Sequence, residues 1–136
     1  MAAAVFRAAA LALALAGCAS VTADARSFEG TRWTVTKLND RSAGGELSFS
    51  GGQVGGSFGC NRFSGPYRTA GQMLIVQTLA VTQMACASAL DEGPDPMAIE
   101  GQGFAVLGQP MRMDWRSGTA LRLSNAAGSL DLQIRP

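Results

Sequence analysis

A small α+β domain, mainly antiparallel strands with one helix packed on them, is the fold class this sequence predicts. Short apolar–polar alternations recur between residues 33 and 134, each the mark of a half-buried strand with one wet face. Asn-Asp, Gly-Gly and Gly-Pro pairs separate several of them. Only one stretch, Asp95 to Leu107, carries helical spacing behind a capping residue.

The elements follow in order. Trp33, Val35 and, after a break, Leu38 predict a first strand that turns at Asn39-Asp40. Leu47 and Phe49, the Gly51-Gly52 turn, then Val54 and Phe58 predict a hairpin. Met73 to Val76 is a short apolar run, and Leu79 with Val81 follows. In the helix Asp95 serves as cap and Pro96 as first residue, with Met97, Glu100, Phe104 and Leu107 on one face. Gly101 and Gly103 each weaken it by about 1 kcal/mol relative to alanine, so it depends on packing Phe104 and Leu107 against the sheet. Met111, Met113 and Trp115, then Leu121 and Leu123, then Leu130, Leu132 and Ile134 alternate with polar residues and close the chain as strands.

Ahead of this domain, residues 1–17 have the order of an export signal. One positive charge lies within Met1–Arg7, and an unbroken Ala/Leu run follows from Ala8 to Ala16. That run is shorter than the roughly 20 apolar residues a membrane span needs, so it reads as a cleaved segment. Leu15-Ala16-Gly17-Cys18 resembles a bacterial lipobox, which makes Cys18 the lipidated first residue of the mature chain, and residues 18–27 a short tether. Several acyl chains, at about 0.8 kcal/mol per buried CH₂, anchor stably where one is marginal. Ser20 stands where an aspartate would retain such a lipoprotein in the inner membrane, so the expected location is the outer membrane, facing the periplasm. The domain proper is 28–136.

Charge and composition narrow the function. Eleven Lys and Arg face ten Asp and Glu, and removing residues 1–17 takes away Arg7, leaving ten of each. Such a balance offers no field to attract nucleic acid. The absence of histidine removes the usual general base and the commonest transition-metal ligand. No metal site and no cofactor are expected. Asp91-Glu92-Gly93-Pro94-Asp95 offers carboxylates to Ca²⁺ but lacks the ligand alternation of a calcium loop, and reads as a solvated linker ending in a cap. An enzyme would need Glu46, Asp91, Glu92 or Glu100 to act as a pair, and their spacing suggests none; no catalytic residue is assigned.

With Cys18 committed to lipid, Cys60 and Cys86 remain in an exported, oxidising setting, where two cysteines usually pair. The loop they would close is worth about 3–4 kcal/mol. The other reading is a reactive Cys60 thiol beside Arg62, which would have neither a histidine to take its proton nor a Cys-x-x-Cys partner. Around Cys60 the run Gly55 to Tyr67 is rich in glycine, but no Lys-Ser/Thr follows it, so it is no phosphate cradle. Glycines in strands mark bulges or the close approach of another backbone. Asn61 suits a left-handed turn position and Gly65-Pro66 marks a second turn. Arg62 and Tyr67 are candidates for a polar surface site; equally, Arg62 covers Phe63 and the Tyr67 hydroxyl finds a backbone partner.

The run Gly59-Cys60-Asn61-Arg62-Phe63-Ser64-Gly65-Pro66-Tyr67, with Thr82-Gln83-Met84-Ala85-Cys86 some way on, resembles the META domain family, whose bacterial members include HslJ-type heat-shock lipoproteins. Gly30-Thr31-x-Trp33, Leu47-x-Phe49, Glu100 to Leu107, Leu121 to Leu123 and Leu130 to Ile134 extend the resemblance across 28–134. It implies antiparallel strands curled into a partly open barrel with a helix packed on it, an envelope setting and a part in stress and antibiotic tolerance, with no general catalytic activity. Asn61, Arg62, Phe63, Gly65 and Tyr67 are then the motif residues of a possible binding surface. Gly101 and Gly103 depart from the family pattern and put the helix, and any cleft it lines, in question. The expected function is non-catalytic: a lipid-anchored protein that binds an apolar ligand or a segment of an envelope partner. The alternative is a structural or assembly subunit of an outer-membrane complex.

Overall fold

The computed structural model describes residues 27–86 and 95–136. The signal, Cys18 and nearly all of the tether, and with them Asp91 and Glu92, lie outside the described residues.

Ten strands and one helix are present among the described residues: β1 Thr31–Leu38, β2 Arg41–Ser42, β3 Glu46–Ser50, β4 Gln53–Ser57, β5 Arg62–Ala70, β6 Met73–Val76, β7 Ala80–Val81, α1 Pro96–Leu107, β8 Met111–Trp115, β9 Ala120–Asn125 and β10 Gly128–Arg135. The domain is small, single and mainly antiparallel. The barrel, expected to be partly open, is closed: eight strands run β1-β3-β4-β5-β6-β8-β9-β10, and β10 pairs back onto β1 from Arg32↔Arg135 to Leu38↔Leu130. Closure removes the free edges that an open sheet would expose. The narrowest seam is β6–β8, which pairs only Met73↔Arg112 and Leu74↔Met111.

An eight-stranded barrel has an interior just wide enough for side chains to fill. Trp33, Val35, Leu47, Phe49, Val54, Leu74, Leu121 and Leu123 fill this one, all at 1% exposure or less. The alternation in the sequence is the cause, because each of these residues is flanked on its strand by outward-facing ones. The break read within the first strand is a register shift between Val35 and Lys37. Asn39 and Asp40 both take left-handed backbone, φ 51° and 64°, as a two-residue hairpin turn requires.

Two expectations need correction. Residues 62–70 form one long strand rather than a pair of turns. Pro66 lies on its outer side, and Gly65 is the point where the chain crosses: a Cβ there would lie 2.7 Å from the Thr78 carbonyl oxygen. Before that crossing β5 pairs with β7, and after it with β6. Asn61 is not left-handed; Gly59, at φ 114°, makes the bend.

The helix has the predicted bounds, with Pro96 at its start and the Asp95 carboxylate accepting the Met97 N–H at 2.9 Å. Its buried stripe differs from the predicted one. Glu100, Gly103, Val106 and Leu107 are buried, whereas Phe104 is half-buried and Met97 exposed. Gly103 explains the shift: a Cβ there would lie 2.5 Å from the Phe58 ring, so its absence lets the helix settle onto that ring. The glycine that weakens the helix locally is what seats it.

Candidate functional site

The chain turns at Gly59 into Cys60, which is bonded to Cys86 with the two Cα atoms 5.9 Å apart. The paired reading of these cysteines therefore holds, and Cys60 presents no free thiol. Asn61, at 3% exposure, follows as a hub. Its backbone N–H donates to Glu100 Oε2 at 2.6 Å and its Nδ2 to Glu100 Oε1 at 2.8 Å. Its Oδ1 accepts from the Met84 N–H at 2.6 Å and the Thr82 hydroxyl at 3.1 Å, and Nδ2 also reaches the Met84 carbonyl at 3.1 Å. Every polar atom of a nearly buried carboxylate–amide pair is thus satisfied, as burial demands. Three distant segments, the start of β5, residues 82–86 and α1, are clamped together at this point.

Beside the clamp lies a groove of about 450 Å³ lined by Val81, Met84 and Met97, with Asn61, Thr82 and Glu100 at its polar floor and rim. Val81, Met84 and Met97, at 36%, 54% and 41% exposure, are the large exposed hydrophobics of the described residues, and all three gather here. A second groove, about 410 Å³, runs between α1 and the segment around β2, over Leu38, Ala43, Ala98 and Ile99. It is the cleft beside the helix that the sequence left in question.

The other motif residues go elsewhere. Alternation along β5 sends Phe63 inward, where it stacks on Phe58 with ring centroids 5.3 Å apart, and Arg62 outward, where its Nη1 lies 3.3 Å from Glu46 Oε1. Tyr67 stands near the far end of the barrel. Its hydroxyl donates to Glu29 Oε1 at 2.5 Å rather than to a backbone partner. Burial, then the hydrogen bond to Glu29 and that residue's charge, push the Tyr67 phenol up to about 12. The Glu29 carboxyl is held below its ordinary value, first by the Tyr67 hydroxyl and then by the Gly52 N–H. Cys60, Cys86 and Asn61 thus form one site with Glu100; Arg62 joins it only through its backbone, which exchanges hydrogen bonds with Thr82, and the side chains of Arg62, Phe63 and Tyr67, with Gly65, lie outside it. Glu46 and Glu100 are engaged with different partners, arginines and an asparagine, and no cluster of potential metal ligands occurs among the described residues. Glu100 was visible in advance as the one charged residue in the predicted apolar stripe of the helix, a place where a carboxylate requires a buried donor.

The META domain family model matches residues 25–134, nearly all of the folded domain. The chain belongs to the META domain family. Two structures solved by NMR, one of them of a protein from Burkholderia xenovorans, resemble this META domain in fold. Each is 23% identical to it with a TM-score of 0.61; the alignments cover 78% and 79% of this chain, and 90% and 83% of the respective structures. No curated protein matches the chain.

Proposed function

We propose that this META domain is an HslJ-like, lipid-anchored protein of the outer membrane that acts without catalysis, holding an extended apolar segment of an envelope partner in the groove of Val81, Met84 and Met97. The observation that carries this reading is the gathering of those three exposed side chains in one groove. Isolated surface hydrophobics are ordinary, but a contiguous patch rimmed by polar groups marks an interaction surface. Methionine suits such a surface, since its flexible thioether adapts to different partners. The disulfide and the Asn61 hub hold the groove wall in place before binding, which lowers the ordering cost of association. The filled barrel interior favours a segment laid on the outside over an apolar ligand taken inside.

The test is site-directed photocrosslinking in the envelope of the native host, with the reactive residue at Met84 or, as control, at Lys37, an exposed residue of β1 that does not line the groove. A discrete adduct from Met84 that is lost in Met97→Asp supports the reading. Adducts of equal yield from both positions, or none from Met84, would defeat it. A single partner recovered at fixed stoichiometry would make the protein an assembly subunit of that partner's complex.

A further inference from the structure

The outer wall of the barrel carries an unbalanced cluster of charge in a cleft that shares no lining residue with the methionine groove. Arg32 on β1 and Arg135 on β10 stand directly opposite each other across the closing seam. Like charges in that relation repel and destabilise a sheet. Arg62 approaches from β5. A single carboxylate serves them: Glu46 Oε1 lies 3.3 Å from Arg62 Nη1 and Glu46 Oε2 lies 3.4 Å from Arg135 Nη1. Among the described residues Arg32 has no carboxylate partner. Together these side chains and Ser48, which faces Arg32 across β1 and β3, line a cleft of about 220 Å³.

We propose that this cleft is a binding site for a phosphomonoester dianion, with Arg32, Arg62 and Arg135 as its ligands and Glu46 as the internal anion that occupies two of them in its absence. Three guanidinium groups against one carboxylate leave two positive charges, the complement of a doubly ionised phosphate. A carboxylate ligand would only repeat what Glu46 already provides. The guanidinium fork matches phosphate oxygens in pairs, and the Ser48 hydroxyl adds a donor beside Arg32. The arginines' exposure keeps the site open to the medium and makes its affinity fall with salt. The cleft also explains why two arginines are tolerated face to face across the seam that closes the barrel. It is independent of the groove at Met84, whose failure as a docking surface would leave it untouched.

The phosphate can come from a soluble metabolite or from a lipid headgroup, and calorimetry on the full chain distinguishes these sources. One arm uses glycerol 3-phosphate at low ionic strength with acetate as the monoanion control. The other compares phosphatidylcholine vesicles with and without phosphatidic acid, so that any anchor contributes equally to both. Saturable binding in either arm is expected, with Arg32→Ala and Arg135→Ala each weakening it about tenfold. Glu46→Gln should tighten it severalfold, because the competing carboxylate is gone; a purely structural ion pair would give no such gain. All three side chains are at the surface, and an unchanged thermal midpoint verifies that the variants fold. Absence of saturation in both arms, binding indifferent to Arg32→Ala, or a loss of affinity in Glu46→Gln would overturn the proposal.

Discussion

At one end of the barrel Phe28, which precedes the first strand, sits among Trp33, Phe49, Tyr67 and Trp115, its ring centroid 4.7 Å from that of Phe49 and 5.8 Å from that of Trp115. At the other end α1 lies over Phe58 and Phe63, fixed by a disulfide-bonded segment and by the Asn61–Glu100 pair. The first end is sealed chiefly by aromatic area, with hydrogen bonds at its margin: the Trp33 indole N–H donates to Thr31 Oγ1 at 2.9 Å, and Glu29 accepts from the Tyr67 hydroxyl and from the Gly51 and Gly52 N–H groups at 2.8 and 2.9 Å. The second uses directional contacts, and it is also where Val81, Met84 and Met97 remain exposed. Nondirectional packing closes a barrel, whereas polar and covalent brackets hold an edge in a defined shape while leaving apolar groups uncovered.

The largest effect is expected where packing dominates. Phe28→Ala removes the centre of the aromatic cluster and should cost about 3–5 kcal/mol in urea unfolding. Because Phe28 joins the barrel to the expected tether, an undiminished stability would mean that the chain's entry point is not part of the core. Next comes the disulfide. Cys60→Ala/Cys86→Ala, which opens a link across a sequence separation of 26, should lower stability by about 3–4 kcal/mol. The two ends should respond independently. Phe28→Leu combined with loss of the disulfide is predicted to be additive within about 0.5 kcal/mol, and a larger deviation would show that the barrel transmits strain from end to end.

A smaller loss is expected from Glu100→Gln, which places an amide N–H₂ against one of the two Asn61 donors. About 1–3 kcal/mol follows from leaving such a group unpaired. Hydrogen exchange should then quicken at residues 82–84, whose backbone depends on the orientation of the Asn61 side chain, and stay unchanged around Phe49. Equal quickening at both ends would erase the distinction between them.

The same contrast governs what could be read beforehand. Strand alternation, the Asp95-Pro96 helix start and the pairing of Cys60 with Cys86 rest on local chemistry or on elimination, and each is present in the structure. Closure of the ring is not local: β1 meets β10 across the whole length of the domain, and nothing in either strand names the other. Gly65-Pro66 misled because both are turn residues in isolation. Only the crossing chain at Thr78 shows why a strand needs a glycine there, and Pro66 is admitted because it falls where β5 changes partner from β7 to β6, so its missing N–H breaks neither of those ladders. Gly103 misled in the same way, its propensity being legible and the Phe58 ring beneath it not. The site around Asn61 was half legible, since its cysteines stood out while its partners Thr82, Met84 and Glu100 come from segments that only the fold brings near.

The smallest expected effect is a titration at the aromatic end. Tyr67 is the chain's single tyrosine, so the absorbance of its phenolate reports one group. Its midpoint should lie at about 12 against an ordinary value of 10.0, with burial the first cause and Glu29 the second. Glu29→Gln should therefore bring the midpoint down without restoring the ordinary value, whereas full restoration would assign the shift to the carboxylate alone. The linked stability has a definite sign. A raised folded-state value means that the neutral phenol's contribution is complete below pH 10 and is lost as pH rises towards 12. Glu29, with its value lowered, acts in the opposite direction: its contribution is present above the ordinary 4.5 and is lost as pH falls through the folded value. The aromatic end should thus loosen at both extremes of pH. The helix end, whose disulfide does not titrate, should keep its exchange protection, measured relative to the base-catalysed intrinsic rate, through the alkaline window.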